Sequence, residues 1–508
     1  MYAAEHDIPL NVHGAVADGG RGSADSTTVS LFSAERTEPD VVESTGELER
    51  TLGLWDGMAM VIGTIIGSGI FSTPALILEA VGSVGMSMVV WLIGAAASVC
   101  GCIVYMELGT MLPRSGGEKE YLAAAFPRPR ALLPFLFCMS SIAICSPSGL
   151  AADSAVTGTY FMYAGTGRTT DHNAWAQRMI GVGVAVLCLL LHGFFVRAAI
   201  RIQGVLTVIK VLLLLLIVVV GMVRGIGGGV RRSDTAGGLF AGTSTHPSAY
   251  VSALFKVFFA YSGYTSLNYS TSELRNPVRN LPRAALGGLL VTATLYVLSN
   301  VAYFVVLDPA MVRESGTAVA GVFFTQALGR TWGQRVVPLL IGLATLGNVM
   351  CGTFAASRVV FEAAREGFLP LGTVLGHVSR FQSPLAALAL CSALTSLFIV
   401  APPPGEAYAF LIDIGGYPQW IFCGASVVGL LVMRRTHAHL PRPFKAWHIA
   451  SAVTIACAAF MCVVPFVRPE HVDPHAIPYW AAPLTAVAFI AVSCSAWATM
   501  SCWHGPLK

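Results

Sequence analysis

Leu54-Trp55-Asp56-Gly57-Met58-Ala59-Met60-Val61-Ile62-Gly63-Thr64-Ile65-Ile66-Gly67-Ser68-Gly69-Ile70-Phe71-Ser72-Thr73-Pro74, running on to Glu79, has the length and polarity of a membrane-spanning helix. Gly63, Gly67, Ser68 and Gly69 interrupt it near its middle. Each glycine forfeits about 1 kcal/mol of helix propensity, and a bilayer interior penalises every peptide group left unpaired. A break at mid-membrane therefore needs a reason. The usual one is that the freed N–H and C=O groups hold a ligand.

Composition sets the frame. Hydrophobic residues make up 55% of the 508 and charged residues 11%, with a mean hydropathy of +0.68. Charged residues are about 25% of a typical soluble domain, so this is an integral membrane protein. The apolar runs are helix-length rather than alternating segments of about ten residues, which excludes a barrel. A net charge of +4, scattered among loops, gives no footing for nucleic acid. The 12 cysteines lie in or beside apolar runs without a CxxC pair, and the 12 histidines show no ligand spacing. Neither a metal nor a cofactor is expected.

Residues 1–50 read as a disordered soluble tail; they carry no apolar signal region, so the first span is expected to direct insertion itself. Further spans are expected at about 86–110, 132–163 with a kink at Ser146-Pro147-Ser148-Gly149, 178–195 and 203–223. After a glycine-rich loop, span 6 (about 250–271) is again irregular, with Tyr261-Ser262-Gly263-Tyr264-Thr265 at its centre. Spans follow at 285–306, 336–363, 385–400, 408–433, 449–466 and 479–503, and residues 316–329 suggest a short helix along the outer surface.

Charge placement agrees with that map. Taken as inner, the loops 111–131, 196–202, 273–285, 363–383 and 434–447 hold 15 Lys and Arg, against eight in the segments taken as outer. The bias puts both termini, including 504–508, in the cytoplasm. A glycine-broken first helix followed by four more, then a broken sixth followed by four more, describes a 5+5 inverted repeat. The predicted fold is thus all-α, with twelve transmembrane helices in a transporter domain over 51–503. Its repeats cover about 54–223 and 250–433, and two further helices cover 449–503. No filter repeat or pore-lining ring suggests a channel.

Several motifs are more specific. Ile62 to Phe71, Phe259-Ala260-Tyr261-Ser262-Gly263-Tyr264 with Asn268 to Pro277, and Ala355-Ala356-Ser357-Arg358 with Ala363-Ala364-Arg365-Glu366-Gly367 resemble the L-type amino acid transporter family of the amino acid–polyamine–organocation superfamily. Pro113-Arg114-Ser115-Gly116-Gly117-Glu118-Lys119-Glu120-Tyr121-Leu122 is similar to its fungal methionine-permease branch.

The resemblance implies an α-amino acid substrate. Its carboxylate would take backbone N–H groups of Gly67, Ser68 and Gly69, where a half-helix begins. Its ammonium would take the carbonyls of Ile65, Ile66, Phe259 and Ser262. Phe259 stands where the family has an aromatic gate, and Gly263, Tyr264 and Thr265 complete the pocket. Tyr264 replaces a tryptophan, and Ser262 a glycine, found in many animal members. No acidic residue adjoins either break, which favours neutral side chains. Taken alone, Gly63 and Gly67 read better as a G-x-x-x-G patch for close helix approach, and Phe259 and Tyr264 better as ordinary aromatic packing; the second break and the resemblance turn the glycines toward a site.

Lys210 lies about 10 Å into span 5 at 1.5 Å per residue, followed by charge-free Val211 to Val220. An ammonium at that depth is paired, neutral or snorkelling. The resemblance places it between spans 1 and 8, where sodium-driven relatives hold a cation, bridging Gly67 to Thr353 and Ser357. A fixed charge and a titrating proton site are both open there. Glu107, Asp153, Glu273, Arg358 and Asp413 read as interfacial or inter-helix ion pairs near span ends. Glu118 and Lys119 resemble a gating or folding motif. The outer loop 165–177 has no cysteine, so the disulfide-linked heavy subunit of animal members is not expected. The expectation is a plasma-membrane permease for neutral amino acids, methionine first, driven by protons. Amino acid exchange, and sensing without transport, are the alternatives.

Overall fold

A computed structural model describes residues 52–168, 174–226, 238–402, 407–467 and 478–504. The expected tail 1–50, the loop residues 169–173, 227–237, 403–406 and 468–477, and all but the first residue of the expected terminus 504–508 lie outside the described residues. The helices are α1 (Leu54–Ile65), α2 (Gly69–Val81), α3 (Val84–Met111), α4 (Glu118–Ala125), α5 (Leu132–Ser140), α6 (Ser146–Thr166), α7 (Ala174–Phe194), α8 (Val196–Ile226) and α9 (Pro247–Tyr261). They continue with α10 (Pro277–Val306), α11 (Pro309–Glu314), α12 (Val319–Thr331), α13 (Val337–Arg365), α14 (Gly372–Leu375), α15 (Leu385–Val400), α16 (Ala407–Thr436), α17 (His448–Val463) and α18 (Ala481–His504). Among the described residues there is no strand.

Among the described residues, nine helical segments are long and apolar enough to cross a membrane. A tenth span forms when α1 and α2 are joined across their 44° bend, and α15 is a shorter apolar helix. The protein is a multi-pass helical membrane protein.

The breaks fall where the sequence puts them. In span 1 the helix stops at Ile65 and restarts at Gly69. In span 6, α9 stops at Tyr261 and a 3₁₀ stretch takes over at Ser266–Glu273. The expected kink in span 3 is a π turn at Ser141–Cys145, immediately before Ser146 and Pro147. The short helix expected over 316–329 appears as α12.

The two broken spans hold each other. Leu52 N donates to the Glu273 carbonyl (3.0 Å) and Arg275 N to the Leu52 carbonyl (2.8 Å), tying the start of span 1 to the end of span 6. Further along, α2 packs on α9 and α1 on α10, while α6 lies along α13. Trp91 of α3 meets Tyr261 and Tyr296 edge-on, each with centroids 5.8 Å away. That buried aromatic layer fixes α9 against α10 beside the break, an arrangement favoured by the ring quadrupoles.

Candidate functional site

Ile66, Gly67 and Ser68 lie between α1 and α2; Ile66 N still donates to the Ile62 carbonyl at 2.9 Å, and all three residues are buried, Ile66 and Ser68 at 0% exposure. Buried polar groups need partners, and tyrosines from other helices supply several. The Tyr296 hydroxyl donates to the Ile65 carbonyl (2.8 Å), Tyr303 to the Ile70 carbonyl (3.3 Å), and Tyr160 to the Phe71 carbonyl. Ile65, expected to receive a substrate ammonium, therefore already accepts one bond. The Ser72 hydroxyl bonds the Ser68 carbonyl (2.9 Å) and the Tyr408 hydroxyl (2.5 Å). A Cβ at Gly67 would stand 2.7 Å from Asn348 Nδ2, so a side chain there would displace the Asn348 amide.

Across the space, Ser262 is exposed and Gly263, Tyr264 and Thr265 are half-buried. The Phe259 carbonyl accepts from Ser262 N (3.2 Å) and Ser262 Oγ (2.7 Å). The Phe259 ring stands edge-on to Tyr408 at 6.3 Å. Tyr264 meets Tyr105 edge-on at 6.2 Å, and the Thr265 carbonyl accepts from Asn268 N at 2.9 Å. Gly263 touches Thr64, so the breaks of the two spans meet.

Lys210 is fully buried and does not snorkel. Its Nζ donates to the Gly63 carbonyl at 2.6 Å and lies 3.4 Å from Asn348 Oδ1. Asn348 Nδ2 donates to Asp153 Oδ2 at 2.6 Å, and Asp153 Oδ1 accepts from the Ser68 hydroxyl. A continuous chain thus runs Gly63–Lys210–Asn348–Asp153–Ser68, beginning and ending on span 1 either side of its break. Thr353 and Ser357 are buried on the same helix as Asn348, but Ser357 bonds its own helix at the Phe354 carbonyl (2.8 Å). The span 8 partner of the ammonium is Asn348.

Asp153 corrects the sequence reading, which grouped it with charges near span ends. It sits well inside the Leu132–Thr166 span, 6% exposed. An ionisable group at that depth is a functional candidate by default, and that signal was available. Glu107 does form the expected inter-helix pair, with Arg434. Lys119 meets Glu366 at 2.5 Å. Among the described residues no cluster of His, Cys, Asp and Glu could hold a metal.

A multi-pass helical bundle with two interrupted spans facing one another is the architecture of a secondary transporter. The family model for amino acid permeases matches residues 52–490, and the chain belongs to that family. It is 31% identical over 443 residues to the high-affinity methionine permease of Saccharomyces cerevisiae, covering 85% of this chain and 76% of that one. It is 31% identical to the b(0,+)-type amino acid transporter 1 of Mus musculus, covering 83% and 84% of the two chains. The Asc-type amino acid transporter 1 of the same species is 32% identical, over 83% and 77%. The expected family is thereby established: the protein is a membrane amino acid permease and not an enzyme.

Proposed function

We propose that this permease takes up neutral L-amino acids, methionine foremost, together with a proton across the plasma membrane. Both termini are cytoplasmic, twelve helices cross the membrane in a 5+5 inverted repeat with two added helices, and the carrier works without a disulfide-linked heavy subunit. The substrate carboxylate takes the N–H groups of Gly67, Ser68 and Gly69, and the ammonium takes carbonyls among Ile65, Ile66, Phe259 and Ser262. Phe259, Gly263, Tyr264 and Thr265 form the pocket and gate. Lys210, with Thr353 and Ser357 farther along span 8, couples the site to alternating access.

The observation that carries this reading is the Lys210 ammonium on the Gly63 carbonyl, one turn before the break. By the family resemblance that is where sodium-driven relatives hold a cation, and the ammonium there ties the shape of span 1 to spans 5 and 8. The likeness to a methionine permease supports the cargo. The uncharged residues around Tyr264 support a neutral side chain.

The test is accumulation of labelled methionine in cells lacking their own permeases, at pH 5 and pH 7, with unlabelled leucine, lysine and cysteine as competitors. Acid-stimulated accumulation blocked by leucine and cysteine but not lysine is expected. Uptake that needs a preloaded amino acid, or that survives collapse of the proton gradient unchanged, would replace symport with exchange or facilitated passage.

A further inference from the structure

We propose that Asp153 is a built-in competitor for the substrate carboxylate: ionised, it holds the start of α2, and protonated, it gives that place up. The inference rests on the reading of Gly67, Ser68 and Gly69 as the carboxylate site.

The start of α2 carries the partial positive charge of a helix N-terminus, and such ends bind anions. An anion of this chain is already there. Asp153 Oδ1 accepts the Ser68 hydroxyl and Oδ2 accepts Asn348 Nδ2 at 2.6 Å. Both Asp153 and Ser68 are buried. A substrate carboxylate arriving at the amides of Gly67, Ser68 and Gly69 would face a second carboxylate across one serine, and two carboxylates sharing a site do not both stay ionised.

The groups around Asp153 supply charge for one anion only. Lys210 reaches it from α8 through Asn348. Cys351 faces it from α13, Tyr296 from α10, and Tyr408 from α16 beyond Ser72. Lys210 is the cation of the set, and with Asp153 ionised it is already balanced. The substrate brings its own ammonium, but that group is taken by carbonyls of the two breaks rather than by Asp153, so a proton lands on an Asp153 oxygen as the substrate carboxylate takes over the Ser68 donors. When the amino acid leaves, that proton leaves and Asp153 returns to Ser68. One proton travels with one amino acid, and Lys210 stays a fixed charge.

The experiment is calorimetric titration of the purified full-length permease with methionine and leucine between pH 5.5 and 8. Affinity is expected to fall as pH rises, approaching tenfold per unit where Asp153 is ionised, the limit for uptake of one proton. Asp153→Asn is expected to flatten the profile and to bind about tenfold tighter than the natural protein at pH 8, whereas Asp153→Glu keeps the slope. A slope that persists in Asp153→Asn, or no gain in affinity at pH 8, overturns the inference. Should Asp153→Asn fail to fold, Ser68→Ala removes a donor that favours ionised Asp153. It is then expected to move the midpoint of the profile to higher pH, and an unmoved midpoint overturns the inference. Natural protein that binds equally at every pH overturns this inference alone; natural protein that binds no neutral amino acid overturns the proposed function with it.

Discussion

The Lys210 ammonium donates to the carbonyl of Gly63 at 2.6 Å, so a charge on span 5 caps the last complete turn of span 1 before its break. The Gly63 carbonyl sits at a position where the continuing helix would otherwise present Gly67 N. Replacing the donor leaves a buried acceptor unsatisfied, at about 1–3 kcal/mol. Lys210→Met is therefore expected to reach the membrane yet lose at least about tenfold in uptake, since about 1.4 kcal/mol is a factor of ten. Lys210→Arg is not a rescue, because the planar guanidinium cannot replace a compact ammonium between Gly63 and Asn348. Labelled uptake normalised to surface protein reads both.

Glu107 is fully buried and accepts from Arg434 Nε at 3.0 Å, from Arg434 Nη2, and from Ala446 N at 2.7 Å. It fastens α3 to α16 and to the segment before α17. Removing one partner of a buried pair destabilises by about 3–5 kcal/mol, a large part of the net stability of roughly 5–15 kcal/mol typical of proteins. Glu107→Ala should fail to give a monodisperse peak in detergent size-exclusion chromatography. Glu107→Gln, which keeps the shape and two acceptor lone pairs, should give a reduced but recoverable one.

Apolar runs and misplaced glycines were enough to read the membrane class, the two breaks and the depth of Lys210. Helix length and desolvation penalties are local properties of the chain, and they survive any packing. The partners of Lys210 were less legible. Which side chain meets an ammonium depends on the rotation of α13 about its axis, and Asn348 differs from Thr353 by little more than one turn. Asp153 is legible by its depth in the span, although in sequence it looks no different from the charges nearer span ends. The tyrosine hydroxyls on the carbonyls of Ile65, Ile70 and Phe71 are invisible in the sequence, because Tyr160, Tyr296 and Tyr303 are distant in sequence and carry no periodic signature.

Glu118, on the loop helix α4 outside the spans, accepts from the Tyr105 hydroxyl (3.0 Å) and from that of Tyr269. Burial pushes its carboxyl above the ordinary glutamate range, while hydrogen bonds from Tyr269, its own backbone N–H, Tyr105 and Gln419 pull it down without cancelling the rise. A raised folded value means the associated stability is complete below the unfolded value of about 4.3 and is lost as pH climbs through the folded value. Glu118→Gln stays neutral at every pH and can still accept from both tyrosines. Its melting temperature is expected to equal that of the natural protein at low pH and to exceed it at pH 8. Glu118→Ala, which strands the buried Tyr105 and half-buried Tyr269 phenols, should melt lower at both. Thermal melts of the detergent-purified proteins at the two pH values decide it.

Gly263 has a φ of +104°, and a Cβ there would lie 2.8 Å from Thr64 Cγ2 and 3.1 Å from the Thr64 carbonyl carbon and oxygen. Two separate objections to a side chain follow. The backbone region disfavours L-residues by roughly 1–2 kcal/mol, and behind the Thr64 methyl the contacts are with main chain, which cannot swing aside. Gly263→Ala is thus expected to push the broken part of span 6 away from that of span 1, lowering uptake about tenfold or more while the helices elsewhere stay folded. Trimming the partner separates the causes. Thr64→Gly removes Cγ2 but neither the carbonyl nor the strained φ, so the double variant should regain little transport. Full recovery would show that only the methyl contact mattered and that the shape of the break in span 6 is not set by its meeting with span 1.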